Sequence, residues 1–352
     1  MHSKSSAGHF FEDFSLHQRL QHATPRTITE GDASLYIALT GSRFALNSSA
    51  DFASSLGYDG LPIDDCLVFH IAFGKTVADI SVNAVANLGY ADVQFLQPVY
   101  AGDTLTVSSE VIGLRENRNG KSGIVYVQSR AKNQHEETVL SWNRWVMVHK
   151  KDFNVRLETT IIPELPSSVD ITTLPFNRKH NWKNIDKQLT GSLATWSDYK
   201  IGERIDHLDG MTIDNSDHTL ATKLYQNNAR VHFDAVHMQN SAFKQRLMYG
   251  GHIISICRAL SFNGLQNALR ILAINGGKHI APTFAGDTIY AVSEVIACEA
   301  IPGRDDAAVL RLKTWGIKNI EPKNLDFIIN SHDKDYHEAV VLELDYSVLI
   351  AR

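Results

Sequence analysis

The feature that most restricts this chain is that it is written twice. Pro98-Val99-Tyr100-Ala101-Gly102-Asp103-Thr104-Leu105 lies against Pro282-Thr283-Phe284-Ala285-Gly286-Asp287-Thr288-Ile289, an offset of 287 − 103 = 184. The match runs on without a gap into Ser109-Glu110-Val111-Ile112 and Ser293-Glu294-Val295-Ile296. Nearer each start, Asp13, Arg19, His22, Thr27, Ile28 and Asp32 meet Asp198, Arg204, His207, Thr212, Ile213 and Asp217, an offset of 217 − 32 = 185. A repeat of this kind means that one assignment of elements has to serve both copies. The copies span about 11–148 and 196–350, and their ends, 139–148 and 341–350, pair more loosely as alternating, strand-like segments. Pro163-Glu164-Leu165-Pro166-Ser167-Ser168 between them has linker composition. The expected organisation is therefore an N-terminal copy over 1–150, a linker over 151–190 and a C-terminal copy over 191–352.

Composition excludes several classes. With 352 residues, each copy is long enough to bury a core of its own. Lys and Arg total 34 against 39 Asp and Glu, a net charge of -5, which argues against nucleic acid as a partner. Cys66, Cys257 and Cys298 are odd in number and far apart, so neither a disulfide framework nor a Cys-x-x-Cys metal site is expected. The sixteen histidines show no His-Glu-x-x-His spacing, and no metal is expected from them either. No apolar leader follows Met1, and no run of ~18 apolar residues occurs, so a cytoplasmic protein without a membrane partner is the expectation.

The pattern of each copy predicts a short helix over 32–39 and 217–224, an irregular segment over 40–49 and 225–239, and a longer apolar helix over 66–77 and 252–262. The apolar residues of that longer helix are too dense for a surface, so it should be buried. Strands are expected over 91–96, 104–114, 124–131 and 139–148, with turns at Gly102-Asp103 and Gly286-Asp287. The fold class that follows is α+β: an antiparallel sheet wrapped around one buried helix, once per copy, with the two sheets meeting edge to edge.

The copies differ most in the loop before the buried helix, the place where binding groups usually sit. The second copy reads Tyr225-Gln226-Asn227-Asn228-Ala229-Arg230-Val231-His232-Phe233-Asp234, and Gly250-Gly251 stands before its helix. The first copy has Ser42 opposite Asn227 and Asn47 opposite His232. Here the chain resembles the MaoC-like dehydratases and R-specific enoyl-CoA hydratases, whose loop carries an Asp and, five positions later, a His, followed by a Gly at the start of the helix of a hotdog fold. Asn227 and His232 keep that spacing, but Asn227 stands where the family has its carboxylate. The two-copy length, with Gly41-Ser42-Arg43-Phe44-Ala45-Leu46 and Ala229-Arg230-Val231-His232-Phe233-Asp234, is most similar to members that act on mesaconyl-CoA.

The resemblance implies a tandem hotdog hydro-lyase that hydrates a CoA thioester reversibly, mesaconyl-CoA giving β-methylmalyl-CoA, with the second copy active and the first degenerate. It implies an acyl-CoA substrate as partner and no cofactor beyond the coenzyme A of that substrate; a homodimer is left open. A hotdog thioesterase and a non-catalytic CoA-thioester-binding module are the competing readings. His232 is the candidate acid/base because an imidazole exchanges protons near neutral pH. Asn227 cannot titrate and would hold water or the imidazole. The Gly251 amide, at a helix N-terminus, would face the enolate oxygen, with Gly250 and Tyr249 beside the substrate. Arg230 and Arg43 are equal candidates for a second substrate carboxylate. Asp64 and Asp65 read most simply as helix caps, and with Asp234 they are the candidates to replace the missing carboxylate. Lys150-Lys151 reads as surface, with CoA phosphates as the alternative.

Overall fold

The computed structural model describes residues 4–352 apart from 178, 327 and 331–334. The first copy contains β1 (Arg19–Thr27), α1 (Glu30–Thr40), α2 (Asp65–Ile80), β2 (Ala84–Phe95), β3 (Thr104–Glu116), β4 (Ser122–Lys132) and β5 (Thr138–His149). The second contains β6 (Arg204–Thr212), α3 (Asn215–Leu224), α4 (Gly250–Leu260), β7 (Ala268–His279), β8 (Thr288–Ala300), β9 (Ala307–Lys318) and β10 (Val340–Ala351).

The duplication is visible bond by bond. Helix α1 opens with a capping box between Thr29 and Asp32, and α3 with one between Asp214 and Asp217. Thr27 Oγ1 meets Thr104 Oγ1 at 2.7 Å, and Thr212 Oγ1 meets Thr288 Oγ1 at 2.7 Å. Buried His22 reaches Ser109 Oγ at 2.7 Å, and buried His207 reaches Ser293 Oγ at 2.8 Å. These side chains clip an outer strand, β1 or β6, to its neighbour. Neither outer strand is evident from composition, because Arg19–Thr27 is polar, charged and interrupted by Pro25, as befits an edge strand. Strand β2 starts at Ala84 rather than 91, and the segments over 40–49 and 225–239 hold short helices, Ala45–Ser48, Arg230–Phe233 and Ala235–Gln239.

The ten strands form one antiparallel sheet in the order β1-β3-β4-β5-β2-β7-β10-β9-β8-β6. Each copy supplies half of it, and the halves join where β2 meets β7, in register at Tyr90–Gly277, Ala91–Gly276, Val93–Ile274 and Gln94–Ala273. The expected edge-to-edge meeting is thus a continuous ladder. Both central helices lie against this sheet and touch each other, His70 Nε2 and Ser255 Oγ being 2.8 Å apart. Leu67, Phe69, Val93 and Trp142 of the first copy and Ile253, Ile256, Ile271 and Val348 of the second belong to one contiguous core. The copies therefore share a core rather than each closing its own. A helix as apolar as α2, buried from Cys66 to Val77, needs cover on its outward side as well as from its own half-sheet, and the other copy provides it.

The connecting segment is strapped to the sheet. Ile161 pairs with Leu114, the Val169 backbone N–H donates to Asn275 Oδ1 at 2.9 Å, and Trp182 is buried with its backbone N–H donating to Asp306 Oδ2 at 2.9 Å. No helix among the described residues is long and apolar enough to cross a membrane.

Gly74 shows how closely the copies approach. A Cβ there would overlap the Tyr225 carbonyl oxygen at the end of α3. Helix propensity favours alanine by ~1 kcal/mol, but overlap with rigid backbone costs more, ~1–3 kcal/mol. Gly74→Ala should therefore lower the melting temperature; a rise would mean that the two copies are less tightly joined than this contact requires.

Candidate active site

Each copy hangs its loop from the same carbonyl, with a different side chain. His232 Nδ1 lies 2.9 Å from the Leu247 carbonyl oxygen. At the matching place, 232 − 185 = 47 and 247 − 185 = 62, Asn47 Nδ2 donates to the Pro62 carbonyl at 3.0 Å. A carbonyl only accepts, so Nδ1 of His232 carries the proton and Nε2 is left as the free nitrogen. Asparagine keeps the tether in the first copy and lacks any group that titrates.

The helix starts have diverged in parallel. In the second copy Tyr249-Gly250-Gly251 opens α4; in the first, Asp64-Asp65-Cys66 opens α2. Asp64 accepts from the Cys66 N–H at 2.8 Å, the cap expected of it. Asp65 accepts from the Ile271 N–H at 2.9 Å and lies 3.5 Å from Arg270. Burial pushes its carboxyl up to about 6 against the opposing pull of Arg270. In the first copy the helix N-terminus is thus occupied by the chain's own carboxylate, that of Asp64, while Asp65 turns to the other copy. In the second no carboxylate stands there among the described residues; rings pack against the glycines instead, so that a Cβ at Gly250 would come within 2.5–2.7 Å of the His279 ring and one at Gly251 within 2.6–2.7 Å of Tyr249 and His70.

A cavity of about 280 Å³ brings His232, Asn227, Arg230, Tyr249 and Gly250 together. Gly251 is buried one residue behind, and the first amides of a helix have no partner within it. Asn227 is buried, and its Oδ1 accepts from the Ala229 N–H at 3.0 Å, which fixes the turn leading to His232. The sequence-based candidates do not all meet here. Arg43 is exposed and sits over the Phe262 ring at 4.7 Å. Asp64 lines a separate cavity with Asn47, and Asp234 caps the His237 N–H at 2.9 Å. Neither they nor Asp65 reach the cavity of His232, which no Asp or Glu lines among the described residues. Lys150 is buried and donates to Glu116 at 2.9 Å.

Three cavity residues escape sequence reasoning: His279, Tyr90 and Arg144. The Tyr90 hydroxyl and His279 Nε2 are 3.1 Å apart, across the seam between the copies. The one available signal was Arg144, the only Asp, Glu, Lys or Arg in its strand, set between Asn143 and Trp145.

Burial dominates the electrostatics. It lowers His232, His252 and His279 each to about 4, and the Leu247 carbonyl only partly offsets this at His232. At neutral pH these imidazoles are uncharged.

Comparison with known proteins assigns the class and then the family. A solved MaoC domain protein from Chloroflexus aurantiacus J-10-fl is 53% identical and covers 100% of this chain and 99% of its own, with a TM-score of 0.96. A double hotdog protein from Mycobacterium tuberculosis shares the fold at a TM-score of 0.77 and 22% identity, covering 98% and 99%. The architecture is thus the MaoC-like double hotdog. A model of mesaconyl-CoA hydratase matches residues 2–160. The β-methylmalyl-CoA dehydratase of Chloroflexus aurantiacus is 54% identical over 100% of this chain and 99% of its own length. The mesaconyl-CoA hydratase of Cereibacter sphaeroides is 48% identical over 99% and 100%. The chain belongs to the mesaconyl-CoA hydratase family.

The buried histidines set a pH dependence of stability. Folded, they titrate at about 4; unfolded, near ~6.5. Below the unfolded value the unfolded chain binds more protons, so stability is full above ~6.5 and is lost as pH falls toward 4, by up to ~1.4 kcal/mol per pH unit per histidine. Melting temperatures measured between pH 7.5 and 4.5 should fall steeply over the lower half of that range. A flat profile would show these imidazoles charged in the folded protein.

Proposed function

We propose that this chain reversibly hydrates mesaconyl-CoA to β-methylmalyl-CoA, with the second copy supplying the chemistry and the first copy closing the acyl pocket. The observation that carries the reading is the tethered imidazole of His232, which shares a cavity with a helix N-terminus that carries no carboxylate. The names of the two full-length relatives supply the acyl group.

The reaction follows from those positions. Nε2 of neutral His232 takes a proton from water as the oxygen adds to the β carbon of the enoyl thioester. The electrons move to the thioester oxygen, which faces the amides of Gly250 and Gly251 and the positive end of the α4 dipole. The proton then passes from Nε2 to the α carbon, and the carbonyl is restored. One imidazole serves both transfers, and the Nδ1–H bond to Leu247 holds its ring in place throughout.

The low proton affinity of His232 fits this cycle. An imidazolium buried here is a strong acid, and it forms only while the enolate beside it carries compensating charge. Asn227, where the family has a carboxylate, adds no negative charge that would trap the proton on the ring.

His232→Gln should reduce turnover of mesaconyl-CoA by roughly 10²–10⁴-fold while the thioester still binds. Loss of the conjugated enoyl-thioester absorbance measures it. Undiminished turnover, or release of free thiol in place of hydration, would rule the mechanism out.

A further inference from the structure

Arg144 is buried, 1% exposed, yet Nε and Nη1 of its guanidinium have no hydrogen-bond partner. Its polar contact is a long one, Nη2 to Ser81 Oγ at 3.5 Å, and it lies over the Phe73 ring at 4.3 Å. No Asp or Glu among the described residues forms an ion pair with it, and none lines the cavity that it shares with His232. Burial lowers its proton affinity only to about 10, so at neutral pH it remains a cation. A buried charge without a counter-ion is costly to the protein that carries it.

The fold does not require it. Arg144 lies across from Tyr90 on β2 and Val127 on β4. In the second copy the residue across from Ile274 on β7 and Leu312 on β9 is Tyr346. These are matching places, since 274 − 90 = 184 and 312 − 127 = 185. At this site in the other half of the sheet, then, a neutral tyrosine is accommodated, its hydroxyl accepting from Thr314 Oγ1 at 3.3 Å. The cation belongs to the half whose face opens on the cavity of His232.

The walls around it combine apolar Phe73, Val77, Ile253 and Val341 with uncharged Ser81, Tyr90 and Tyr249, and hold no carboxylate among the described residues. Such a surrounding strengthens one charge pairing and disfavours neutral groups left beside an unpaired cation. CoA phosphates stay near solvent, whereas a group 1% exposed can be met only by the buried end of the acyl chain. Resting on the hydratase reading, we propose that Arg144 is the receptor for the free carboxylate of the acyl group and determines specificity for dicarboxylic enoyl thioesters. A carboxylate would be taken in two-point geometry by Nη2 together with either Nε or Nη1, since both of those are unpartnered and Nη2 is held only by the long Ser81 contact.

The test compares mesaconyl-CoA with tiglyl-CoA, which carries a methyl group where mesaconyl-CoA carries its free carboxylate. Arg144→Met should lower kcat/KM for mesaconyl-CoA by roughly 10²–10³-fold and leave tiglyl-CoA no worse than with the wild type. Its ligand-free melting temperature should be at least that of the wild type, since an uncompensated charge has been removed. Arg144→Lys keeps a cation without the fork, holds the fold in any case, and should show a smaller loss confined to mesaconyl-CoA. Equal losses on both thioesters, or unchanged mesaconyl-CoA turnover, would overturn the proposal and leave the hydratase reading standing. If the wild type hydrates neither thioester, that reading fails instead, and binding decides about the arginine. Mesaconyl-CoA raising the wild-type melting temperature but not that of Arg144→Met supports it; an equal rise in both overturns it.

Discussion

The pairing of β2 with β7 is the contact on which the molecule depends. Without it there would be two open half-sheets, each with an exposed hydrogen-bonding edge and a helix bare on one side. With it, ten strands become one surface, and two helices that are buried along most of their length cover each other. The seam also makes the site composite. Tyr90 sits at its first register pair, and the side chains that face the cavity from the first copy come from β2, from β5 beside it and from the end of α2. The second copy brings His232, the α4 amides and His279 from the other side. The first copy is thus built into the cavity even though its own loop lacks a titratable group.

The duplication allows a controlled comparison within one chain. The same carbonyl tether is made by histidine in one copy and asparagine in the other. The helix that opens on glycines in one opens on two aspartates in the other. Both sites fold, so the tether and the helix start are requirements of the scaffold, met equally well by either set. What separates them is chemistry: a nitrogen that can take up a proton, and a helix end not already occupied by carboxylates. Divergence therefore changed these positions in one copy without unsettling the fold that both copies share.

How much of this was legible in the sequence follows from how locally each feature is encoded. The repeat, the buried helices and the loop of His232 are written as contiguous patterns, and they stand where the pattern puts them. Strands β1 and β6 were not legible because an edge strand faces solvent and needs no apolar alternation; His22 and His207, which fasten them, bond to residues more than eighty positions away. The cavity lining was legible only in part for the same reason. Arg43 and Arg230 looked equivalent as loop residues, and only the packing of the loop places Arg230 at the cavity and Arg43 over Phe262. His279 and Tyr90 lie on strands from different copies and acquire meaning when the seam forms.

In the proposed cycle, burial accounts for the absence of a carboxylate beside His232. A carboxylate near His232 would raise its proton affinity and stabilise the imidazolium, which favours holding a proton over returning it. Here the low-dielectric surroundings do the opposite and keep the ring neutral until the reaction supplies an anion next to it. In that cycle the anion is the enolate, which exists only between the two proton transfers. The ring's charge is therefore coupled to the intermediate rather than to a permanent neighbour, and Asn227 in place of an acid is consistent with that coupling rather than a loss of function.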